Sequence, residues 1–99
     1  MRFKIPCLKT STHPEILPSH RVILFDENKS RYLLEGECYA LLIPYLIEGV
    51  HSTDEIVTRL ESLHPISASE IYYALLQLEE KGFLEEAHQE LPKSTQALS

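Results

Sequence analysis

Two hydrophobic periods divide this chain. From Arg21 to Leu34 the pattern is that of strands. Arg21-Val22-Ile23-Leu24-Phe25 is rich in β-branched and aromatic residues, Asp26-Glu27-Asn28-Lys29 is a polar turn, and Ser30-Arg31-Tyr32-Leu33-Leu34 follows. Two such runs joined by a short polar segment predict a β-hairpin. Alternation puts Ile23 and Phe25 on one face, and Tyr32 and Leu34 on another. Upstream, residues 3–17 are interrupted by Pro6 and Pro14, and Pro18 follows. That stretch reads as extended, with an edge strand near residues 12–17, because proline cannot donate to a ladder.

After Gly36 the period becomes helical. Cys38, Leu41, Leu42, Tyr45 and Leu46 share a face and Gly49 stops the helix. Pro44 inside it predicts a kink, a second short helix, or an end near Leu42. Ser52-Thr53-Asp54-Glu55 reads as a capping box opening a second helix. Its stripe is Ile56, Val57, Leu60 and Leu63, and Pro65 ends it. Ser67-Ala68-Ser69-Glu70 is another capping box, and Ile66 with Ile71 fits a hydrophobic staple. Ile71, Ala74, Leu75 and Leu78 form the stripe of a third helix, and Gly82 suits a left-handed cap. Phe83-Leu84 continues as a short packed segment. The expectation is an α+β domain over residues 1–86, with helices on one face of a small antiparallel sheet and a disordered tail or linker over residues 87–99. These are the parts of a winged helix-turn-helix.

Composition narrows the function. The 99 residues have room for one domain, and 43% hydrophobic with 24% charged residues is ordinary for a folded soluble protein. No apolar run approaches the ~20 residues of a membrane span. Pro6, Lys9, Thr10 and His13 break the start before a signal-peptide core could form. Cys7 and Cys38 have neither framework nor metal spacing, which fits a reducing, cytoplasmic compartment. The net charge of −6 is uneven. Residues 1–34 carry an excess of basic groups, whereas residues 35–86 are strongly acidic, so two different surfaces are expected.

No catalytic constellation is visible. The five histidines, at positions 13, 20, 51, 64 and 88, include no pair at the helical spacing of a metal site. Cys38 falls on the apolar face of the first helix, where a free cysteine usually packs as a small hydrophobe. The three glycines are too far apart to cradle a phosphate. The expectation is a protein with no enzymatic activity, no cofactor and no metal. Nucleic-acid binding by a winged helix is the alternative, but Glu70, Glu79, Glu80 and Lys81 would bring net negative charge against phosphates.

The third helix holds more apolar surface than one stripe needs. At about 100° per residue from Ile71, Tyr72 and Leu76 fall on one shoulder and Tyr73 and Gln77 on the other. Two adjacent tyrosines cannot both enter one core. One of them is a surface ring or one shoulder walls a peptide groove, and the periodicity does not say which. The hairpin's last strand offers an unpaired edge beside that helix, a natural place to add a peptide strand. The candidate binding residues are Lys29, Ser30, Arg31, Tyr32, Leu33 and Leu34 on the strand, with Tyr72, Tyr73, Leu76 and Gln77 on the helix. Lys29 and Arg31 would favour an acidic peptide.

The strings Arg31-Tyr-Leu-Leu-Glu-Gly36, Leu41-Leu-Ile-Pro-Tyr-Leu46, Asp54-Glu-Ile-Val57, Ile71-Tyr-Tyr-Ala-Leu75 and Glu79-Glu-Lys-Gly-Phe-Leu84 together resemble one family. It is the leader-peptide-binding domain of bacterial thiazole/oxazole-modified peptide (TOMM) cyclodehydratases, a PqqD-like RiPP recognition element. The resemblance spans about residues 8–86. It implies a three-stranded antiparallel sheet with three helices, a helical proline at Pro44, and a precursor's leader peptide added antiparallel to the third strand against the third helix. One departure is Glu48-Gly49, where the family usually has an Asp-Gly turn. The E1-like and YcaO-type regions that usually follow lie outside the resemblance. Cyclisation is therefore expected from another chain, or from a longer parent. The implied role is leader capture for a modifying enzyme, a cyclodehydratase or YcaO-type partner in cis or in trans, in bacteriocin-like natural product biosynthesis.

Overall fold

The computed structural model describes residues 3–87. Five strands and three helices follow in the order β1 (Pro6–Leu8), β2 (His13–Leu17), β3 (Arg21–Phe25), β4 (Arg31–Glu35), α1 (Glu37–Glu48), α2 (Thr53–Leu63), α3 (Ala68–Glu80) and β5 (Leu84–Glu86). This is an α+β winged helix. Strands β2, β3 and β4 form an antiparallel meander, and β1 pairs with β5 in a separate two-stranded sheet. The tail expected over residues 87–99 lies, beyond Ala87, outside the described residues.

The hairpin follows from its alternation. Val22 pairs with Leu34 and Leu24 with Tyr32 on the inner face, while Ile23 pairs with Leu33 and Phe25 with Arg31 on the outer one. Val22, Leu24 and Leu34 are buried. The connecting turn is tied by Asp26, whose carboxylate accepts from the Asn28 and Ser30 amides at 2.9 Å each. The Lys29 amide donates to the Asp26 carbonyl, and Lys29 itself takes a left-handed φ of 65°.

One continuous helix spans Pro44, settling the alternatives the sequence leaves open. Pro44 lies on the exposed side of the helix, and Leu42, Ile43 and Leu46 bury the opposite side. Gly49 ends α1 in the left-handed conformation, its amide bonded to the Tyr45 carbonyl. At α2 the structure corrects two expectations. Ser52 accepts from the Glu55 amide, but the Glu55 carboxylate turns instead to Arg59 at 3.3 Å and His51 at 3.4 Å. Leu63 is 67% exposed, and Thr53 joins Ile56, Val57 and Leu60 in the buried stripe. Leu63 sits on the final turn, where the chain leaves the core toward Pro65.

Both halves of the α3 capping box form, with Ser67 accepting from the Glu70 amide and Glu70 accepting from the Ser67 amide. The other end is a Schellman motif: the Gly82 amide bonds the Glu79 carbonyl and the Phe83 amide bonds the Leu78 carbonyl. Gly82 has φ 82°, and Phe83 and Leu78 are both buried. The turn thus launches β5, which the sequence pattern shows only as a packed segment. β5 pairs with β1 from Leu84 opposite Leu8 to Glu86 opposite Pro6. The Glu86 carboxylate extends the ladder by accepting from the Lys4 and Ile5 amides at 2.8 Å each.

Candidate functional site

Hydrogen-bond phase decides what each sheet edge can offer. At one end of the β3–β4 pair the Asp26 amide bonds the Ser30 carbonyl, and at the other the Gly36 amide bonds the His20 carbonyl. In an antiparallel ladder, bonded and non-bonded pairs alternate. Tyr32 and Leu34 therefore spend their backbone groups on β3. Arg31, Leu33 and Glu35 turn theirs outward, and among the described residues no strand pairs with that side of β4. The same phase on β2 turns His13, Glu15 and Leu17 toward β3 and leaves Pro14 and Ile16 on the outside. Pro14 has no N–H to offer. Of the meander's two free edges, one is blunted by proline and the other presents an uninterrupted set of donors and acceptors.

The open edge lies beside α3. A cavity of 310 Å³ is lined by Glu35, Gly36, Glu37, Cys38 and Tyr39 from the end of β4 and the start of α1, and by Ile66, Glu70, Tyr73 and Ala74 across from them. At the other end of the strand, Tyr32 shares a smaller depression of 160 Å³ with Lys81, Gly82 and Phe83. There the Tyr32 ring meets Phe83 edge-on at 5.0 Å. The N-terminal turn of α3 is thus next to the C-terminal end of β4, and the reverse holds at the other end. Larger hollows exist between α1 and α2 (490 Å³) and beside Phe3 and Tyr72 (530 Å³), but neither is lined by the free strand.

The structure separates the two tyrosines. Tyr73, 63% exposed, is on the β4 side. Tyr72 faces α2, where its hydroxyl donates to Asp54 at 3.0 Å. That bond holds the Tyr72 phenol above its ordinary value, with burial and the Asp54 and Glu61 charges adding to it. Leu76, one turn after Tyr72, shares that shoulder, and Gln77 follows Tyr73. Tyr72 and Leu76 therefore do not wall the cavity at β4. Lys29 lies in the turn that the pattern predicts and Ser30 joins it there, so neither belongs to the strand's free edge, and their amides are held by Asp26. Arg31, Tyr32, Leu33 and Leu34 are in the strand as expected, with Leu33 54% exposed. Glu35, Tyr39 and Cys38 join the site unannounced. Extending the strand's alternation by one residue would have included Glu35, whereas Cys38 reads as a core position of α1 and Tyr39 lies outside the stripe read there.

Burial pushes the Cys38 thiol up, and the carboxylates of Glu70 and Glu37 add to the shift, so it is a poor nucleophile at neutral pH. Burial likewise raises the Tyr39 phenol, with Tyr73 and Cys38 contributing. Among the described residues no group of three or more His, Cys, Asp or Glu is placed to hold a metal ion. No helix among them is long and apolar enough to cross a membrane.

Comparison with known proteins agrees with this fold. No curated protein matches the chain. Among solved structures, the heterocyclase TruD superposes with a TM-score of 0.73 at 30% identity, over 89% of this chain and 12% of that one. A heterocyclase in complex with substrate and cofactor gives 0.70 at 30% identity, over 88% of this chain and 11% of that one. The chain thus spans about an eighth of the length of these neighbours. A winged helix-turn-helix domain family matches residues 8–86, nearly everything from β1 to β5, and the chain belongs to that family.

Proposed function

We propose that this chain is a non-catalytic leader-peptide-binding domain, a RiPP recognition element. It captures the leader of a ribosomally made precursor by strand addition and presents the precursor to a modifying enzyme, in cis or in trans, such as a thiazole/oxazole cyclodehydratase. The observation that carries the reading is the open edge of β4, with Arg31, Leu33 and Glu35 facing outward beside Tyr73. The likeness to part of two heterocyclases supports the same biosynthetic setting. The winged-helix fold alone also suits a nucleic-acid-binding regulator. Here, however, α3 would carry Glu70 and Glu80 toward the phosphates, where affinity comes from lysine and arginine.

Leu33→Pro tests the reading directly. Leu33 donates nothing to β3, so proline there removes one outward N–H and leaves the ladder intact, as edge prolines do. Fluorescence anisotropy with a labelled leader peptide from a candidate ribosomal precursor should show binding to the wild type. Leu33→Pro, with unchanged circular dichroism, should weaken it at least tenfold. Equal affinity in a folded variant overturns strand addition at β4. Absence of any binding by the wild type overturns leader capture altogether.

A further inference from the structure

The open edge has a direction and a charge order, and both constrain what can lie on it. The following rests on strand addition at β4. An antiparallel occupant runs from the Glu35 end of the edge toward the Arg31 end. Its residues opposite Glu35, Leu33 and Arg31 form the bonded pairs, because those three residues turn their backbone outward. Their side chains share the outer face of the sheet with Glu35, Leu33 and Arg31, where directly opposite pairs touch. The two residues between them stand opposite Leu34 and Tyr32. They point inward, the first toward the cavity lined by Tyr39, Tyr73 and Ala74, the second toward Tyr32 and Phe83.

We infer that this edge selects a five-residue extended segment whose side chains read, from N- to C-terminus, basic, apolar, apolar, apolar, acidic. The basic group meets Glu35, with the Glu37 and Glu70 carboxylates close by on the cavity wall. The acidic group meets Arg31, with Lys29 in the adjoining turn. Arg21 flanks Glu35 from the β3 side, and its guanidinium leans away to the Pro18 carbonyl at 3.4 Å. Glu35 therefore keeps its outer flank for an incoming cation. The central residue meets Leu33, which is otherwise exposed. Acidity alone does not define the ligand: a carboxylate at the N-terminal position meets Glu35, at the acidic end of the edge, while the same carboxylate four residues later meets Arg31, at the basic end. Arg31-Tyr32-Leu33-Leu34-Glu35 itself fits the rule, so a second copy of the chain is a competing occupant.

Three acetylated and amidated peptides with identical Gly-Ser flanks test this. Their centres are Lys-Leu-Val-Leu-Glu, its charge exchange Glu-Leu-Val-Leu-Lys, and Lys-Ser-Ser-Ser-Glu. Titration to millimolar concentration, followed by the amide resonances of the 15N-labelled chain, detects even weak binding. The first peptide should shift the Arg31, Leu33 and Glu35 amides and bind about tenfold more tightly than the exchanged one at low salt, a gap that narrows at high salt. The serine peptide should leave those amides unmoved. The double variant Arg31→Glu/Glu35→Arg, both at exposed positions, should reverse the preference. Equal affinity of the first two peptides overturns the charge order while leaving strand addition standing. No shift at the three amides with any peptide overturns strand addition at β4 as well. Shifts that depend on protein concentration without peptide assign the edge to a second copy and overturn the peptide rule.

Discussion

Tyr72 and Tyr73 are neighbours in sequence with different roles, and the distinction lies in their partners. Tyr72 belongs to the α2–α3 seam through Asp54, and Tyr73 to the space beside β4. Tyr73→Ala should weaken leader binding by well over tenfold, since a buried aromatic anchor is worth about 2 kcal/mol or more. Tyr72→Phe and Leu76→Ala should leave affinity within about twofold, and Arg31→Ala should cost less than about 1 kcal/mol, fading as salt rises. Anisotropy titrations at two salt concentrations check the order. Silence at Tyr73 with a loss at Tyr72 would put the site on the other shoulder. Helical periodicity could not settle this, because both rings lie beyond the core stripe and the deciding contact comes from another helix. Cys38 provides an independent readout. With its thiol held above the ordinary value, less thiolate is present at neutral pH, and iodoacetamide should label it more slowly than a free cysteine. Bound leader should slow the labelling further, because Cys38 lines the same cavity, while Cys7, in β1 opposite Glu85 of β5, should be unaffected. Equal protection of both cysteines would indicate global stabilisation rather than occupancy of the groove.

Elements were legible in the sequence in proportion to how local their causes are. The hairpin and the cap of α3 depend on residues within a few positions of one another, and both formed as the pattern predicts. The Glu55 half of the α2 box failed because Arg59 and His51 compete for the same carboxylate. Strands β1 and β5 show no alternation worth reading at three residues each, and Pro6 obscures the first. Two glycine-terminated helices make a matched test of local against tertiary cause. Gly82 and Gly49 both have positive φ, but a methyl at Gly82 meets open space, whereas at Gly49 it would come within 3.0 Å of the Cys7 Cβ. Each alanine substitution should cost the left-handed strain of about 1 kcal/mol. Gly49→Ala should lose more stability than Gly82→Ala, measured by urea unfolding at constant slope. The reverse ranking would mean that β1 yields easily to α1.

At the scale of the molecule, the meander and α3 provide the edge, while the β1–β5 pair closes the chain around the core. Leu8, Phe83 and Leu84 carry that closure into the buried cluster with Leu42, Ile71 and Leu78. The open edge of β4 and the closing pair belong to different sheets, so a strand added at one need not disturb the other. The family resemblance announced the meander and the three helices. It did not announce the closing pair, whose partners lie some eighty positions apart and whose pairing no local pattern encodes.

The closing pair also sets how the domain responds to being pulled. Pro6 and Glu86 are opposite each other at the outer end of the ladder, so tension on the two ends of the domain acts across the strands rather than along them. The load falls on one pair at a time, first at the Glu86 clasp on Lys4 and Ile5, then at Cys7 and Leu8, like a zip opened from its end. In an optical trap the domain should open at low force, in an early step that releases β1 and β5 before the meander and helices come apart. A single high-force rupture would mean that the ladder is loaded in shear. If the early step is seen, a chain drawn taut between larger neighbours has a built-in slack of a few residues on each side, taken up while the open edge of β4 keeps its shape.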